Sequence, residues 1–171
     1  MIVTDDLVFI ENPKTGCTSV RVMIENLGGR TVGSKHWNLR DYNDKNRRRL
    51  RVTTVRNPFD RMVSGFHFQT GGKMDFKKWM LGDDWEVAPG IDFKRVSQLH
   101  WTVQCNVIMR FETLHEDVEK LRKRLDLPEA RLPHMHKSND RRPYQDYYDD
   151  ETRAVIEDRF KIDMKVFGYT F

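Results

Sequence analysis

Two strand–turn–helix patterns set the architecture that this sequence can adopt. In the first, the apolar run Leu7–Ile10 leads through the turn 13–19 into a helical repeat over 19–27. In the second, the β-branched run 51–55 leads through a short turn into a helical repeat over 58–69. Strands that alternate with helices predict an α/β fold, in which a parallel sheet is flanked by helices on both faces. Ligands of such sheets bind beyond the carboxyl ends of the strands, where both turns lie.

The first turn has the composition of a phosphate-binding loop. It reads Pro13, Lys14, Thr15, Gly16, Cys17, Thr18 and Ser19. A helix N-terminus presents unpaired backbone N–H groups and partial positive charge, so it binds anions. The order differs from the ATP-binding loop, in which the lysine follows the second glycine, because here Lys14 precedes Gly16. The alternative is an ordinary strand-to-helix turn with an N-cap residue.

The second turn carries an arginine. Asn57 is a good N-cap and Pro58 suits the first helical position, so Arg56 lies at the strand end and Ser64 lies within the helix. Both side chains can bind one phosphate, the arginine through its guanidinium fork. Alternatively, Arg56 pairs with Asp60, and Ser64 is a small residue at a helix contact. Two such loops in this order point to a nucleotide phosphorylated at its 3′ and 5′ positions rather than to ATP.

These loops and several downstream segments resemble the sulfotransferases that use 3′-phosphoadenosine-5′-phosphosulfate (PAPS), above all their Golgi-type carbohydrate branch. In this resemblance the loop 13–19 corresponds to the 5′-phosphosulfate loop and 55–64 to the 3′-phosphate loop. The similarity continues, in order, through the segments 109–114, 132–138, 147–148 and 163–169. It implies a P-loop-NTPase-like sulfotransferase fold and a single domain over residues 1–171.

The resemblance also implies a donor site. PAPS would be the sulfuryl donor and adenosine 3′,5′-bisphosphate (PAP) the product, with no metal ion. The residues that would bind this nucleotide are Lys14, Thr15, Gly16, Cys17, Thr18, Ser19, Arg56, Ser64, Lys137 and Ser138.

Sulfuryl transfer needs a group that stabilises the leaving oxygen and a base that takes the proton of the acceptor. Lys14 is the candidate for the first role. His36 is the candidate for the second, because related enzymes place their catalytic base between the two loops. Lys35 and His36 would also contact the substrate, a hydroxyl acceptor for which the resemblance favours a glycan. Alternatively, His36 is structural or orients the substrate, and His134 is then the next candidate base.

The composition fits an enzyme with an anionic ligand. Thirty basic residues against 26 acidic ones give a formal net charge of +4. The basic residues are interspersed with acidic ones and form no recognition motif, so we expect no nucleic-acid partner. The first residues lack a basic signal-peptide region, and the apolar run after them is too short for a membrane anchor. With only two cysteines, these features predict a cytoplasmic protein of a bacterium or of a virus and its host.

Two other classes of protein remain open from the sequence. One is a divergent P-loop kinase, against which the arginine loop and the missing Mg²⁺ ligand argue. The other is a nucleotide- or anion-binding module without catalytic activity.

The rest of the chain continues the alternation. A helix is predicted over 92–101, a strand over 106–111, and a helix over 114–125. Thr113 and Glu116 have the spacing of a capping box for that last helix, and Glu116 and Lys120 that of an ion pair. A further helix is predicted over 150–161, and a shorter piece over 167–171.

Overall fold

The computed structural model describes residues 1–40, 42, 46, 48–82, 94–133, 135 and 141–171. The chain separates into two compact units. The first, called the sheet unit, comprises Met1–Val55 and Gln98–His136. The second, called the helical unit, comprises Arg56–Ser97 and Lys137–Phe171.

The sheet unit contains a mixed sheet, which has five strands in the described part of the chain. In the order β3-β1-β2-β4-β5, β1 pairs antiparallel with β2 and β3, whereas β2, β4 and β5 are parallel. The strands are β1 (Ile2–Val3), β2 (Leu7–Ile10), β3 (Arg30–Thr31), β4 (Leu50–Val55) and β5 (Val107–Arg110). The predicted α/β class with a parallel core is therefore confirmed. Because β2, β4 and β5 run in parallel, the chain leaves all three strands at the same edge of the sheet.

Helices pack on this sheet because their apolar stripes need a partner surface. The helices of the sheet unit are α1 (Cys17–Asn26), α4 (Leu99–Thr102) and α5 (Leu114–Arg124). Phe9 of β2, Val52 of β4 and Met109 of β5 form one core with Val20 of α1 and Val118 of α5. Phe111–Thr113 form a 3-10 turn between β5 and α5.

The helical unit has its own core, which is rich in aromatic side chains. Its helices are α2 (Pro58–Thr70), α3 (Phe76–Leu81), α6 (Asp150–Arg159) and α7 (Lys161–Phe167), with a 3-10 turn at Tyr144–Tyr147. Phe59 and Phe66 of α2 pack in this core with Phe160. Asn57 caps α2 as predicted, since its side chain accepts a hydrogen bond from the backbone N–H of Phe59.

The structure corrects the predicted helix over 92–101. Residues 94–98 are not helical, and only Leu99–Thr102 form a helix; residues 92 and 93 lie outside the described residues. Lys94 and Gln98 are buried. Lys94 donates from Nζ to the carbonyl of Trp79, so its side chain bonds to the backbone of a distant residue and does not lie on a solvent-exposed helix face.

Two predicted local interactions of α5 are also wrong. The side chain of Thr113 makes no capping hydrogen bond and donates instead to the carboxylate of Asp117. Lys120 pairs with Asp117 at 3.1 Å rather than with Glu116. Near the C-terminus, the predicted helix over 150–161 ends at Arg159, and the closing helix is Lys161–Phe167 rather than 167–171.

Candidate functional site

The turn between β2 and α1 has the backbone geometry of an anion-binding nest. Lys14 and Gly16 both adopt left-handed conformations, with φ of 65° and 79°, on either side of Thr15. Alternation of this kind turns successive N–H groups toward one centre. Within the described chain, the N–H groups of residues 15–18 donate to no protein acceptor. The turn therefore offers four adjacent donors at the positive end of a helix.

Gly16 is required at this turn for two reasons. Its left-handed backbone is costly for residues with a side chain. In addition, a Cβ atom here would lie 2.9 Å from the side chains of both Phe111 and Leu114. The turn that follows β5 therefore packs directly against the nest and fixes its position.

Several side chains of the loop hold the nest in place rather than face a ligand. The hydroxyl of Thr15 donates to the carbonyl of Asn12 at 2.8 Å and also contacts the hydroxyl of Thr54 on β4. Cys17 belongs to the core of the sheet unit, and burial raises the pKa of its thiol to about 11. It is therefore an uncharged thiol near neutral pH. Ser19 accepts from the backbone N–H of Met135. Thr15 and Cys17 thus offer a ligand only their backbone N–H groups.

His36 is oriented by the backbone of the strand that leads into the nest. Its Nδ1 lies 2.7 Å from the carbonyl oxygen of Glu11. A carbonyl can only accept, so Nδ1 carries the proton and the lone pair of the neutral ring is on Nε2. Burial lowers the pKa of His36, with Lys35 acting in the same direction and the bond to Glu11 opposing it. The ring is therefore a neutral base near neutral pH.

The segment around His36 is tightly folded. Gly33 has a φ of 61°, and the ring of Trp37 covers it so closely that no Cβ atom fits. The backbone N–H of Trp37 donates to the carbonyl of Ser34. Lys35 is exposed, and both Lys35 and Lys14 lower the pKa of Cys17 against the effect of its burial. Both predicted lysines therefore contribute positive charge at Cys17, the first residue of α1.

Glu11 was not singled out from the sequence. Its side chain is fully buried directly after β2, and Arg21 of α1 lies 3.3 Å from its carboxylate. Arg21 in turn donates to Glu25 and to Thr31. This ion pair ties the strand end that holds His36 to α1. A charged residue directly after an apolar strand was the available signal in the sequence.

In the helical unit, Arg56 is buried and shares a carboxylate with a second arginine. Its Nε donates to Asp60 at 2.7 Å, which is the pairing that the alternative interpretation of Arg56 predicted. Arg141, which the sequence analysis did not single out, pairs with the other oxygen of Asp60. The cluster therefore holds two guanidinium groups against one carboxylate. Ser64 is half-buried on α2.

Some predicted residues lie outside the described residues. They are His134, Lys137 and Ser138. In the part of the chain that the structure describes, no group of three His, Cys, Asp or Glu side chains has the arrangement of a metal site. Over the same residues, every helix is too short or too polar to cross a bilayer.

A family model described as "Sulfotransferase family" matches residues 1–170, which is nearly the whole sequence. Searches of curated proteins and of solved structures gave no match.

Proposed function

The chain belongs to the sulfotransferase family, and we propose that it transfers the sulfuryl group of PAPS to a hydroxyl group of a carbohydrate. The observation that carries this proposal is the nest of four N–H donors at residues 15–18. It lies in the same compact unit as a histidine whose Nε2 is available as a base. Family membership supports sulfuryl transfer in general, and the nest and the histidine support the assignment of roles.

The nest fits the anionic end of a PAPS-like donor. Its donors are backbone groups, so they bind a tetrahedral anion without any side chain having to move. Gly16 leaves the space that a Cβ atom would fill. When bound, PAPS supplies an activated sulfuryl group. The protein has to hold that group, orient the acceptor and move one proton.

Lys14 and His36 would perform the two charge-balancing tasks. Lys14 neutralises the negative charge that develops on the oxygen leaving sulfur. Its ammonium group therefore stabilises the transition state more than the ground state. His36 takes the proton of the acceptor hydroxyl at Nε2, since its Nδ1 proton is held by the carbonyl of Glu11. The new bond joins the acceptor oxygen to sulfur. The bond between sulfur and the bridging oxygen of PAPS breaks, and PAP leaves with its electron pair.

The 3′-phosphate is assigned to Arg56 and Ser64, with Lys137 and Ser138 also contacting the nucleotide. The assignment rests on the resemblance of residues 55–64 to the family's second loop. It is supported by the two guanidinium groups that meet at Asp60, because a phosphate can accept from both arginines. Asp60 would keep these arginines oriented until the nucleotide arrives.

A carbohydrate acceptor is proposed from the resemblance to the Golgi-type branch. Lys35 is exposed beside His36 and would contact an acceptor near the reacting hydroxyl. Its charge favours acceptors that carry an anionic group close to that hydroxyl.

Calorimetry with PAP tests the donor assignment. We expect PAP to bind without metal, and AMP and ATP with Mg²⁺ to bind more weakly, because AMP lacks the 3′-phosphate and the loop lacks the ATP-type order. A preference for ATP with Mg²⁺, or no binding of PAP, would refute the proposed donor. A screen with radiolabelled PAPS and uronic-acid-containing glycans, neutral glycans and tyrosine peptides then tests the acceptor. Transfer to the tyrosine peptides alone would exclude a carbohydrate enzyme.

A further inference from the structure

We infer that Gln98, His100 and Trp101 form a positioning clamp, which fixes the His36 segment relative to the strand end that carries the nest. The three residues lie in or beside the short helix α4. The inference rests on the proposed function, because it concerns the residue that we propose as the base. None of the three clamp residues is assigned a contact with substrate or donor.

Trp101 holds the backbone of His36 itself. Its indole Nε1 donates to the carbonyl oxygen of His36 at 2.9 Å. Trp101 is 1% exposed, and the hydrogen bond that it donates is partly buried. Removing the donor would leave the partly buried carbonyl of His36 without this partner, which favours a shift of the segment.

His100 holds the same segment two residues further on. Asn38 Nδ2 lies 2.8 Å from His100 Nε2. The Oδ1 atom of Asn38 accepts from the backbone N–H of Arg40, which identifies Nδ2 as the donor toward the histidine. His100 therefore accepts at Nε2 and carries its proton on Nδ1. The rings of His100 and Trp101 also meet edge to face, with centroids 4.8 Å apart.

Gln98 connects the clamp to the root of the nest. Its Oε1 accepts from Asn12 Nδ2 at 3.3 Å, and both side chains are fully buried. The same Asn12 Nδ2 donates to the carbonyl of Thr54 on β4. The carbonyl of Asn12 accepts from Thr15 inside the nest. Residues 98–101 are thus hydrogen-bonded both to the segment that carries His36 and to Asn12, which precedes the nest.

This arrangement constrains His36 at two points. The carbonyl of Glu11 fixes its ring, and the clamp fixes its main chain. A base that is held in this way needs no reordering when the acceptor binds, and misplacement by about 1 Å can cost roughly a hundredfold in rate. The clamp residues act through His36 and are therefore positioning residues.

The test uses the tautomer of His36, which long-range proton–nitrogen NMR of protein labelled with ¹⁵N-histidine reports directly. In the unmodified protein we expect His36 to carry its neutral-state proton on Nδ1. In His100→Leu and in Trp101→Phe we expect both tautomers to be populated, because the ring loses its alignment with the carbonyl of Glu11. His100→Gln keeps an acceptor for Asn38 and should restore the Nδ1–H form. His115→Leu, which removes an exposed histidine of α5, is the matched control and should leave the His36 signals unchanged.

Retention of the pure Nδ1–H form in both His100→Leu and Trp101→Phe would overturn the clamp. The exposed position of His100 keeps this test valid if Trp101→Phe fails to fold. PAP calorimetry on the same samples separates this inference from the proposed function. Failure of the unmodified protein to bind PAP would refute the donor assignment and leave the tautomer result to decide the clamp. Normal PAP binding with an unaltered tautomer in the variants would refute the clamp alone.

Discussion

The imidazole of His36 combines a fixed proton on Nδ1 with a lowered pKa, and the two features have one structural source. The ring is half-buried against the strand end at Glu11, so burial disfavours the charged form, while the carbonyl of Glu11 holds the proton of the neutral form in place. A general base must be deprotonated before it can act. The structure thus prepares the form of His36 that the proposed reaction needs.

The first prediction concerns the pH dependence of turnover. Because burial lowers the pKa of His36 below its ordinary value of 6.5, the base form persists at mildly acidic pH. We expect turnover to be flat near neutral pH and to fall on the acid side, with an apparent pKa below 6.5. Replacement of His36 by Ala should lower turnover by about 10²–10⁴-fold and leave PAP affinity unchanged. Initial rates over a pH series, measured with the acceptor found in the screen, check this. An acid limb that persists in His36→Ala would assign the base to another residue.

A second prediction concerns the ammonium group of Lys14. Lys14 keeps a left-handed backbone, which costs a non-glycine residue about 1 kcal/mol or more, and such strain is found at functional sites. Lys14→Ala should lower turnover by about 10²–10³-fold, because the charge that it meets develops in the transition state. PAP affinity should change much less.

Lys14→Gly and Lys14→Arg are its controls. Lys14→Gly removes the charge and suits the left-handed backbone, so it should be as inactive as Lys14→Ala but more stable. Lys14→Arg keeps the charge and should recover part of the activity. Parallel measurements of kcat, PAP affinity and thermal stability check the set. An unchanged kcat in Lys14→Gly would mean that Lys14 is only a turn residue.

The nest and α1 form the element for which we propose anion binding, and a Cβ atom at Gly16 would meet Phe111 and Leu114 at 2.9 Å. We expect Gly16→Ala to destabilise the fold by about 1–2 kcal/mol through its left-handed backbone alone, and to weaken PAP binding as Phe111 and Leu114 are displaced. Gly28→Ala is a matched control. Gly28 has a similar φ of 85°, but nothing lies within 4 Å of the Cβ position. Chemical denaturation of both variants measures the loss of stability caused by backbone strain. PAP calorimetry on both variants measures the loss of affinity caused by damage to the nest. Equal PAP affinity in Gly16→Ala and the unmodified protein would contradict an anion site at this turn.

The elements that could be predicted from the sequence are those whose cause is local. The strand–turn–helix pattern around Gly16 and the N-cap at Asn57 depend on neighbouring residues, and both are present in the structure. The two-residue strand β1 was missed because it depends on pairing with β2 and β3 rather than on its own composition. The predicted helix over 92–101 is helical only from Leu99 in the described residues, and before it the side chains of Lys94 and Gln98 make buried contacts that no periodicity reveals.

The same distinction applies to the candidate site. Lys14, Gly16 and His36 could be proposed from motif and position. Glu11 stands out in the sequence only as a charged residue after an apolar strand, and its contact with His36 could not be predicted, because it uses a backbone carbonyl that any residue would provide. Trp101 is 65 positions away from His36, and only the fold brings the two together. The assignment of Arg56 and Ser64 to a 3′-phosphate stays a prediction.

The charge of the whole protein bears on how tightly it would bind the doubly phosphorylated nucleotide that we propose. The formal net charge is +4, and Lys14, Lys35 and the arginines at Asp60 contribute positive charge at the proposed donor-binding residues. A phosphate monoester carries about −1.5 to −2 charges at neutral pH, so PAP is far more anionic than AMP. Ligands that bind only the native state raise its stability, by about 2.7 kcal/mol at a hundred times Kd.

We therefore expect PAP to raise the melting temperature more than AMP does at the same concentration. The difference should shrink as salt is added, because the Debye length falls from about 10 Å at 0.1 M to about 3 Å at 1 M.

In Arg56→Ala the shifts produced by PAP and AMP should become nearly equal, since the partner of the 3′-phosphate is removed. Ser97→Ala, which removes a hydroxyl bonded to Asp163 elsewhere in the same unit, is a control that should keep the difference. Thermal melts with each nucleotide, referenced to the unliganded protein at every salt concentration, measure these shifts. Equal shifts for PAP and AMP in the unmodified protein would mean that the 3′-phosphate is not recognised, and Arg56 would then have a structural role, as in its pair with Asp60.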